Sequence, residues 1–216
     1  MPTTPSSECD AAILATVESY YTEKIQRFGA DHRAVDWNSS ESQMLRFAQV
    51  TRVCDLGQPF SVLDYGCGYG ALVDYLDAQG THARYTGYDI SDAMRACGEE
   101  RYLLRDDVQF TGDLSTITEV DYVVASGVFS VRMGFDDDHW SRYVFDRIDE
   151  FASRARCGFA FNMLTAYSDA DRMRPDLYYA DPLAMFDAMR RRYSRRVALL
   201  HDYPLYEFTI VVRTDA

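Results

Sequence analysis

An acidic residue followed by three alternating glycines marks the first candidate site. Residues 62–70 read Val-Leu-Asp-Tyr-Gly-Cys-Gly-Tyr-Gly, so Asp64 stands two positions before Gly66, and Gly68 and Gly70 follow. Glycine has no Cβ, and it therefore lets the backbone turn sharply and approach a bound molecule closely. A glycine-rich loop between a strand and a helix is a common seat for nucleotides. The spacing predicts a nucleotide-like ligand over this loop.

A second acid, Asp89, ends the next predicted strand in the sequence TGYDIS. A carboxylate at such a strand end can accept hydrogen bonds from both hydroxyls of a ribose. The loop and the acid together are more specific than either part alone. However, Gly66, Gly68 and Ala71 also satisfy the loose G-x-G-x-x-G/A pattern of nicotinamide cofactors, so the loop alone leaves the type of nucleotide open.

The elements that position these residues alternate between short apolar runs and helical stretches from residue 60 onward. The predicted strands FSVLDY, ARYTGYD, VQFTG, DYVVAS and GFAFNML have helical segments between them, a pattern typical of a parallel sheet. The last two runs, VALLHDY and LYEFTIVV, are joined by so few residues around Pro204 that they must be antiparallel. We therefore predict a doubly wound α/β fold with a mostly parallel seven-stranded sheet and a terminal antiparallel strand.

Two helices are predicted ahead of the first strand. Apolar residues fall at helical spacing from residue 13 to 28, and Ser40 followed by Gln43 is a capping-box pattern that opens the second helix. We interpret residues 1–58 as a lid on the same domain and residues 59–216 as the domain that binds the ligand.

Composition restricts the class of protein. The chain has 216 residues, of which 47% are hydrophobic, which favours a single domain with a sizeable core. A net charge of -12 disfavours nucleic acid as a partner. The sequence shows neither a stretch of about 20 apolar residues nor a secretory leader, so we expect a cytoplasmic protein without a membrane span. The five scattered cysteines match no disulfide framework or zinc site, and no metal is predicted.

Around the glycine loop, the sequence resembles motif I of the class I S-adenosylmethionine-dependent methyltransferases. In that motif an acid two positions before the first glycine corresponds to Asp64. The resemblance extends over about residues 60 to 213 and includes the terminal antiparallel strand. It implies an enzyme that uses S-adenosyl-L-methionine as its cofactor.

The resemblance also implies roles for residues of the loop and of the ribose acid. In the family, the acid at the Asp64 position helps to hold the methionine end of the cofactor. The loop that contains Gly66, Cys67 and Gly68 underlies the cofactor, and Asp89 corresponds to the acid that binds the ribose.

Three further segments have counterparts in the family. Ile90, directly after the ribose acid, corresponds to the residue that packs on adenine. Asp113 and Leu114 correspond to an adenine-contacting segment, although a Gly-Asp pair is also ordinary turn chemistry. Ser126 lies at the end of the fourth strand, where the chain passes beneath the reacting methyl group in relatives.

Trp37 and Arg46 carry a looser likeness, to methyltransferases that resemble glycine methyltransferase and close an aromatic residue and an arginine over the cofactor. The arginine fork suits the methionine carboxylate, and an aromatic face suits a cationic sulfonium. On the other hand, an arginine on an amphipathic helix usually faces solvent. We predict cofactor contacts for both residues and core packing for Tyr20, which lies in a helical apolar stripe.

The candidate catalytic groups are histidines. Methyl transfer from a sulfonium is an in-line displacement that depends mainly on alignment, and some acceptors also need a general base. His139 follows an acidic cluster at a helix start, and His201 ends the sixth strand. We predict these two as candidate bases. The sequence from Ser126 to Phe129 departs from the Asn/Asp-Pro-Pro-aromatic motif of amino-methyltransferases that act on nucleobases.

Three functions stay open from the sequence. The leading hypothesis is a methyltransferase that acts on a small-molecule acceptor. One alternative is an NAD(P)-dependent oxidoreductase, because of the loose glycine pattern. The other is a non-catalytic, cofactor-binding scaffold subunit, in which the N-terminal helices serve as an interface, for example in a homodimer.

Overall fold

The computed structural model describes residues 6–214, with side chains from residue 10, and in it two helices precede a series of strands and helices. The helices are α1 (Ser6–Phe28), α2 (Ser40–Val50), α3 (Ala71–Ala78), α4 (Asp92–Arg101), α5 (Asp137–Arg154) and α6 (Pro182–Arg192). The strands are β1 (Phe60–Tyr65), β2 (Ala83–Tyr88), β3 (Val108–Thr111), β4 (Val120–Ala125), β5 (Ala155–Thr165), β6 (Tyr179–Ala180), β7 (Arg196–Leu200) and β8 (Glu207–Arg213). Residues 1–5 of the predicted lid and 215–216 of the predicted ligand-binding domain lie outside the described residues.

The strands form one sheet in the order β3-β2-β1-β4-β5-β8-β7, and the two-residue strand β6 pairs with the end of β5. Strands β1 to β5 are parallel, whereas β8 is antiparallel to both of its neighbours. The predicted mostly parallel sheet with an antiparallel terminal strand is therefore confirmed. The strand order reverses between β1 and β4, and such a switch point opens a crevice at the carboxyl edge of the sheet.

Two apolar layers cover the faces of the sheet. Successive strand residues point to opposite faces, so that Val123 packs in one layer and Val124 in the other. Helix α5 places Trp140 in the first layer, and α2 places Phe47 in the second. Ile13 of α1 is also fully buried. The described part of residues 1–58 thus packs on the same core as the sheet.

Polar side chains fix where the helices begin. Asp181 caps α6 with Pro182 in its first turn, as the sequence predicts. The predicted cap at Ser40 is wrong by one residue, because Ser39 caps α2 and exchanges hydrogen bonds with Ser42. Ser39 has the extended backbone that a cap requires, and its neighbour is already helical.

A further correction concerns Tyr20, which was predicted to pack in the core. This tyrosine is only half-buried and belongs to neither apolar layer. Its ring faces the Lys24 ammonium at 4.9 Å. The helical stripe on α1 is therefore narrower than its spacing suggests.

Within residues 6–214, no helix has the length and apolar character that crossing a membrane requires.

Candidate active site

Three glycines with left-handed backbone geometry shape the loop after β1. Gly66, Gly68 and Gly70 have φ values of 73°, 55° and 80°, which other residues rarely adopt. The N–H groups of Gly66 and Cys67 both donate to the carbonyl of Tyr88, at 2.8 and 3.0 Å. These bonds hold the loop against the end of β2.

Asp89 ties the same loop to the start of α4. Its Oδ2 accepts the N–H of Gly68 at 2.8 Å, and its Oδ1 accepts the N–H of Ser91 at 2.9 Å. Burial raises the pKa of the Asp89 carboxyl, and the two backbone donors act in the opposite direction. An ionised carboxylate has about four acceptor positions. Two of them are thus available for other donors.

A cleft opens at the carboxyl ends of β1, β2 and β4, and we call it the edge cleft. It holds about 830 Å³ of space between protein atoms, part of it open to solvent. Its sheet side consists of residues 64–68, 88–90 and 126–128 together with Met94 and Tyr143. The residues predicted to bind a cofactor that lie on the sheet side are Asp64, Gly66, Cys67, Gly68, Asp89, Ile90 and Ser126, and Trp37 lines the cleft from the opposite side.

The N-terminal segment forms the other wall of the edge cleft. It contributes Leu14, Val17, Tyr21, Val35, Trp37, Gln43 and Phe47. These side chains are mainly apolar or aromatic, and the described wall carries no lysine or arginine. The carboxyl groups that line the edge cleft are those of Asp64 and Asp89, both on the sheet side. The edge cleft is therefore a mainly apolar site with two acids on its sheet side.

The loop after β4 forms the floor of the edge cleft. The Ser126 Oγ is buried and has no hydrogen-bond partner among the described residues. Gly127 has a φ of 80°, and its N–H donates to the Asn162 Oδ1 at 2.7 Å. A Cβ atom on Gly127 would lie 2.2 Å from the Cη2 of Trp37. The Trp37 ring therefore rests directly on the glycine backbone.

The two residues predicted to contact adenine, Asp113 and Leu114, do not line the edge cleft. Asp113 is exposed and caps a short 3-10 turn by accepting the N–H of Ser115 at 2.9 Å. Leu114 is half-buried and packs on the core. Both residues follow β3, on the same edge of the sheet as the cleft. Their contact with adenine stays a prediction.

Arg46 does not line the edge cleft either, and it forms a buried ion pair with Glu207. Its Nε is 2.9 and 3.0 Å from the two carboxylate oxygens, and its Nη1 donates to the carbonyl of Ser42 at 2.9 Å. The guanidinium carbon lies 3.9 Å from the centre of the Trp37 ring. A direct contact between Arg46 and a methionine carboxylate, which stays a prediction, would require this ion pair to open.

The two candidate bases are on the surface near the same edge. His139 is exposed, and its ring contacts Asp136, which caps α5 by accepting the His139 N–H at 3.0 Å. His201 follows β7, and its ring centre is 6.0 Å from that of Tyr167. Neither imidazole lines the edge cleft. Their role as bases stays a prediction.

Similarity to known proteins decides the family. Residues 63–150 match the family model of a methyltransferase domain. The Mycobacterium tuberculosis protein Rv1506c, whose name describes it as a methyltransferase, is 51% identical over 162 residues, which are 75% of this chain and 98% of that protein. The chain belongs to the class I S-adenosylmethionine-dependent methyltransferases. This relationship favours methyl transfer over the oxidoreductase alternative.

Solved structures share the fold of this methyltransferase. Magnesium protoporphyrin IX methyltransferase from Synechocystis PCC 6803 with bound S-adenosylhomocysteine has a TM-score of 0.63 at 17% identity, covering 93% of this chain and 99% of that one. The 1,6-didemethyltoxoflavin-N1-methyltransferase from Burkholderia thailandensis has a TM-score of 0.61 at 20% identity, covering 100% and 93%. At such low identity the likeness shows the fold, here a Rossmann-like methyltransferase fold.

S-adenosylmethionine is the cofactor of this methyltransferase, and the edge cleft fits its chemistry. The spare acceptor positions of Asp89 suit the two ribose hydroxyls. The unpartnered Ser126 hydroxyl is a buried polar atom that a ligand can satisfy. A wall with two carboxyl groups and no described basic side chain suits a molecule that carries a sulfonium and an ammonium group.

The carboxyl of Asp64 is the most perturbed acid of the edge cleft. Burial raises its pKa to about 7, although the hydroxyl of Tyr85 donates a hydrogen bond to its Oδ2 at 2.7 Å. The nearby charge of Asp89 acts in the same direction as burial. In the ligand-free methyltransferase, Asp64 therefore changes its charge near neutral pH.

Replacing Asp64 with asparagine should remove a pH-dependent loss of stability. The folded-state pKa of about 7 lies above the ordinary value of 3.8. Between these values the folded methyltransferase binds more protons than the unfolded chain, so its stability falls as pH rises. Asparagine does not titrate. The Tm of Asp64→Asn minus that of the wild type, measured by ligand-free thermal denaturation, should increase from pH 4 to 7. A difference that stays flat would contradict this assignment.

Several side chains of the site were not predicted from the sequence. Tyr21 lines the edge cleft, and Gln43 and Tyr143 do so as well. Leu14, Val17 and Tyr21 follow helical spacing, but the pattern of a helix that covers a ligand is the same as that of a helix that covers a core. The helical stripe therefore predicted that Val17 and Tyr21 face inward, but it did not distinguish a ligand cleft from a core.

Proposed function

We propose that this methyltransferase transfers a methyl group to a small-molecule acceptor. The observation that carries the proposal is enclosure, because seven residues of the N-terminal segment cover the edge cleft opposite the sheet. A polymeric substrate would need an open face beside the floor. The described wall also offers no basic side chain to a phosphate backbone, and the whole chain has a net charge of -12.

The structural neighbours support the same class of acceptor. The substrates in their names, magnesium protoporphyrin IX and 1,6-didemethyltoxoflavin, are small molecules. Both proteins share the fold over most of their length with this chain.

Within this proposal, each part of the edge cleft has a separate task. S-adenosylmethionine supplies an electrophilic methyl carbon that is bonded to a sulfonium. We assign the ribose hydroxyls to Asp89 and the methionine end to Asp64, with residues 66–68 beneath the cofactor. Ile90 packs on adenine, and the floor at Ser126 lies where the methyl carbon meets the acceptor. The chain's main contribution is alignment of the reacting atoms.

The remaining predicted contacts complete this arrangement. Trp37 presents an aromatic face to the cationic sulfonium, and Asp113 with Leu114 approaches adenine from the end of β3. If the acceptor is a hydroxyl or a phenol, His139 or His201 takes up its proton, since a neutral imidazole nitrogen can act as a general base. An amine acceptor that arrives deprotonated needs neither histidine.

The acceptor class can be tested with a labelled methyl donor. The purified methyltransferase is incubated with methyl-labelled S-adenosylmethionine and a whole-cell extract that has been separated into a low-mass fraction and a macromolecular fraction. We expect label to enter the low-mass fraction in an enzyme-dependent way. Mass spectrometry of the labelled compound then identifies the acceptor.

A matched control is the Asp89→Ala variant, which should transfer no label in either fraction. Label that enters only protein or nucleic acid would contradict the proposed acceptor class. Binding of S-adenosylhomocysteine without transfer to any fraction would instead favour the non-catalytic scaffold.

A further inference from the structure

Three buried polar side chains from distant elements meet behind the edge cleft. They are Arg46 of α2, Asn162 of β5 and Glu207 of β8, and we call them the Glu207 network. Their exposed fractions are only 7%, 1% and 3%. Arg46 donates from Nε to both oxygens of Glu207, at 2.9 and 3.0 Å, and Asn162 donates from Nδ2 to the Glu207 Oε2 at 2.7 Å. None of the three lines the edge cleft.

Both ends of the Glu207 network reach the edge cleft through another residue. At one end, the Asn162 Oδ1 accepts the N–H of Gly127, which belongs to the floor. At the other end, the Arg46 guanidinium stacks on the Trp37 ring, which belongs to the N-terminal wall. Trp37 in turn packs on Gly127. The Glu207 network is therefore in contact with the N-terminal wall and with the floor, and these two parts of the edge cleft also contact each other.

Stability alone is a weak reason for such an arrangement. The free energy needed to remove an arginine and a carboxylate from water offsets much of the free energy gained from their attraction. A protein in which apolar side chains of similar size replace such a pair is often equally stable. A fully satisfied buried network, however, fixes one geometry of the groups that it joins. Here those groups are the backbone of Gly127, which has a left-handed φ of 80°, and the ring of Trp37.

We propose that Glu207 and Asn162 are positioning residues that lock Trp37 and the Gly127 backbone together, and so preset the shape of the edge cleft for methyl transfer. Arg46 then acts through Trp37 instead of touching the cofactor. The inference deepens the proposed function, on which it rests, but it concerns the shape of the site and not the identity of the acceptor.

The test separates geometry from stability. Trp140→Phe leaves Trp37 as the only tryptophan, and this variant serves as the parent. In it, Arg46→Met with Glu207→Leu replaces the ion pair by apolar side chains, and Asn162→Ala separately removes the contact with Gly127. The measurements are the Tm, the affinity for S-adenosylhomocysteine by calorimetry, and the emission maximum of Trp37. Arg156→Met is the control, because its pair with Asp121 is at the opposite edge of the sheet.

We expect the double variant to melt close to the parent and to bind S-adenosylhomocysteine about tenfold more weakly, as when the competent conformation falls to about a tenth of the population. The emission of Trp37 should shift to longer wavelength as the ring loses its contacts. Asn162→Ala should change affinity and emission in the same direction, and the control should change neither.

If the double variant or Asn162→Ala folds and keeps both the affinity for S-adenosylhomocysteine and the Trp37 emission of the parent, the proposal is overturned, whatever the Tm of that variant. These readouts use the product of the cofactor and no acceptor. A failure of the small-molecule proposal in the extract assay therefore leaves them interpretable.

Discussion

Replacing Asp89 with alanine should weaken the binding of S-adenosylhomocysteine by roughly 100-fold or more, since two hydrogen bonds to a charged acceptor contribute about 3 kcal/mol or more together. The substitution also removes the acceptor for the N–H groups of Gly68 and Ser91. The glycine loop then loses an anchor at the point where it turns beneath the ligand. Isothermal titration calorimetry with purified protein measures the effect.

Two variants make this result specific. Asp92→Ala removes an acid at the start of α4 whose side chain is 89% exposed, and it should keep the wild-type affinity. Asp89→Asn retains the shape and one acceptor oxygen, so its affinity should lie between those of the wild type and Asp89→Ala. Wild-type affinity in Asp89→Ala would show that this carboxylate does not hold the ribose.

The second large effect is expected from Gly66→Ala. A Cβ atom at this position would lie 2.2 Å from the Cγ1 of Val128, and the φ of 73° is unfavourable for alanine. Overpacking and backbone strain each cost about 1 to 3 kcal/mol, so the free energy of unfolding should fall by about 2 kcal/mol or more. Because Val128 belongs to the cleft floor, affinity for S-adenosylhomocysteine should fall as well.

The chain offers a matched control for strain without a clash. Gly29 has a φ of 64° with open space where a Cβ would lie. Gly29→Ala should therefore lose stability from strain alone and keep the wild-type affinity. In Gly66→Ala with Val128→Ala, the two Cβ atoms would be 3.5 Å apart, an ordinary contact, so part of the lost affinity should return. Chemical denaturation measures the stability, and calorimetry measures the affinity for S-adenosylhomocysteine. Equal losses of stability and affinity in Gly66→Ala and Gly29→Ala would contradict the steric explanation.

The local part of the site was predictable from the sequence. The acid-glycine pattern at residues 64–70 and the acid at Asp89 lie at the ends of adjacent strands, and the carboxyl ends of parallel strands meet at one edge. The alternation of strands and helices was equally informative, as was the short connection around Pro204. Local patterns thus predicted the sheet, its antiparallel strand and the two acids and the glycine loop that lie at its carboxyl edge.

Contacts between distant segments were not predictable in the same way. Arg46 and Glu207 are 161 residues apart, and no periodicity pairs them. A signal was nevertheless present, because a glutamate that begins the apolar run EFTIVV is rarely buried without a partner. The sequence could have raised the question of a partner for Glu207, but only packing places an arginine from α2 beside it.

The one-residue error at the α2 cap and the misplaced Tyr20 have similar causes. Ser39 and Ser40 have the same capping chemistry, so side-chain type cannot choose between them. Tyr20 and Tyr21 are neighbours on α1, and only the position of the helix on the sheet decides that Tyr21 faces the edge cleft. The spacing of apolar residues predicts the ends and the buried face of a helix to within about one residue. The tertiary arrangement decides which neighbouring residue caps the helix or faces the cleft.

A crystal structure of the complex with S-adenosylhomocysteine would show directly whether the edge cleft binds the cofactor. We expect density for the nucleoside in the edge cleft, with ribose oxygens about 2.6 to 3.0 Å from the Asp89 carboxylate and the homocysteine end beside Asp64. The Trp37 ring should still rest on the Gly127 backbone. A nucleoside bound elsewhere, or a ribose with no contact to Asp89, would contradict this expectation.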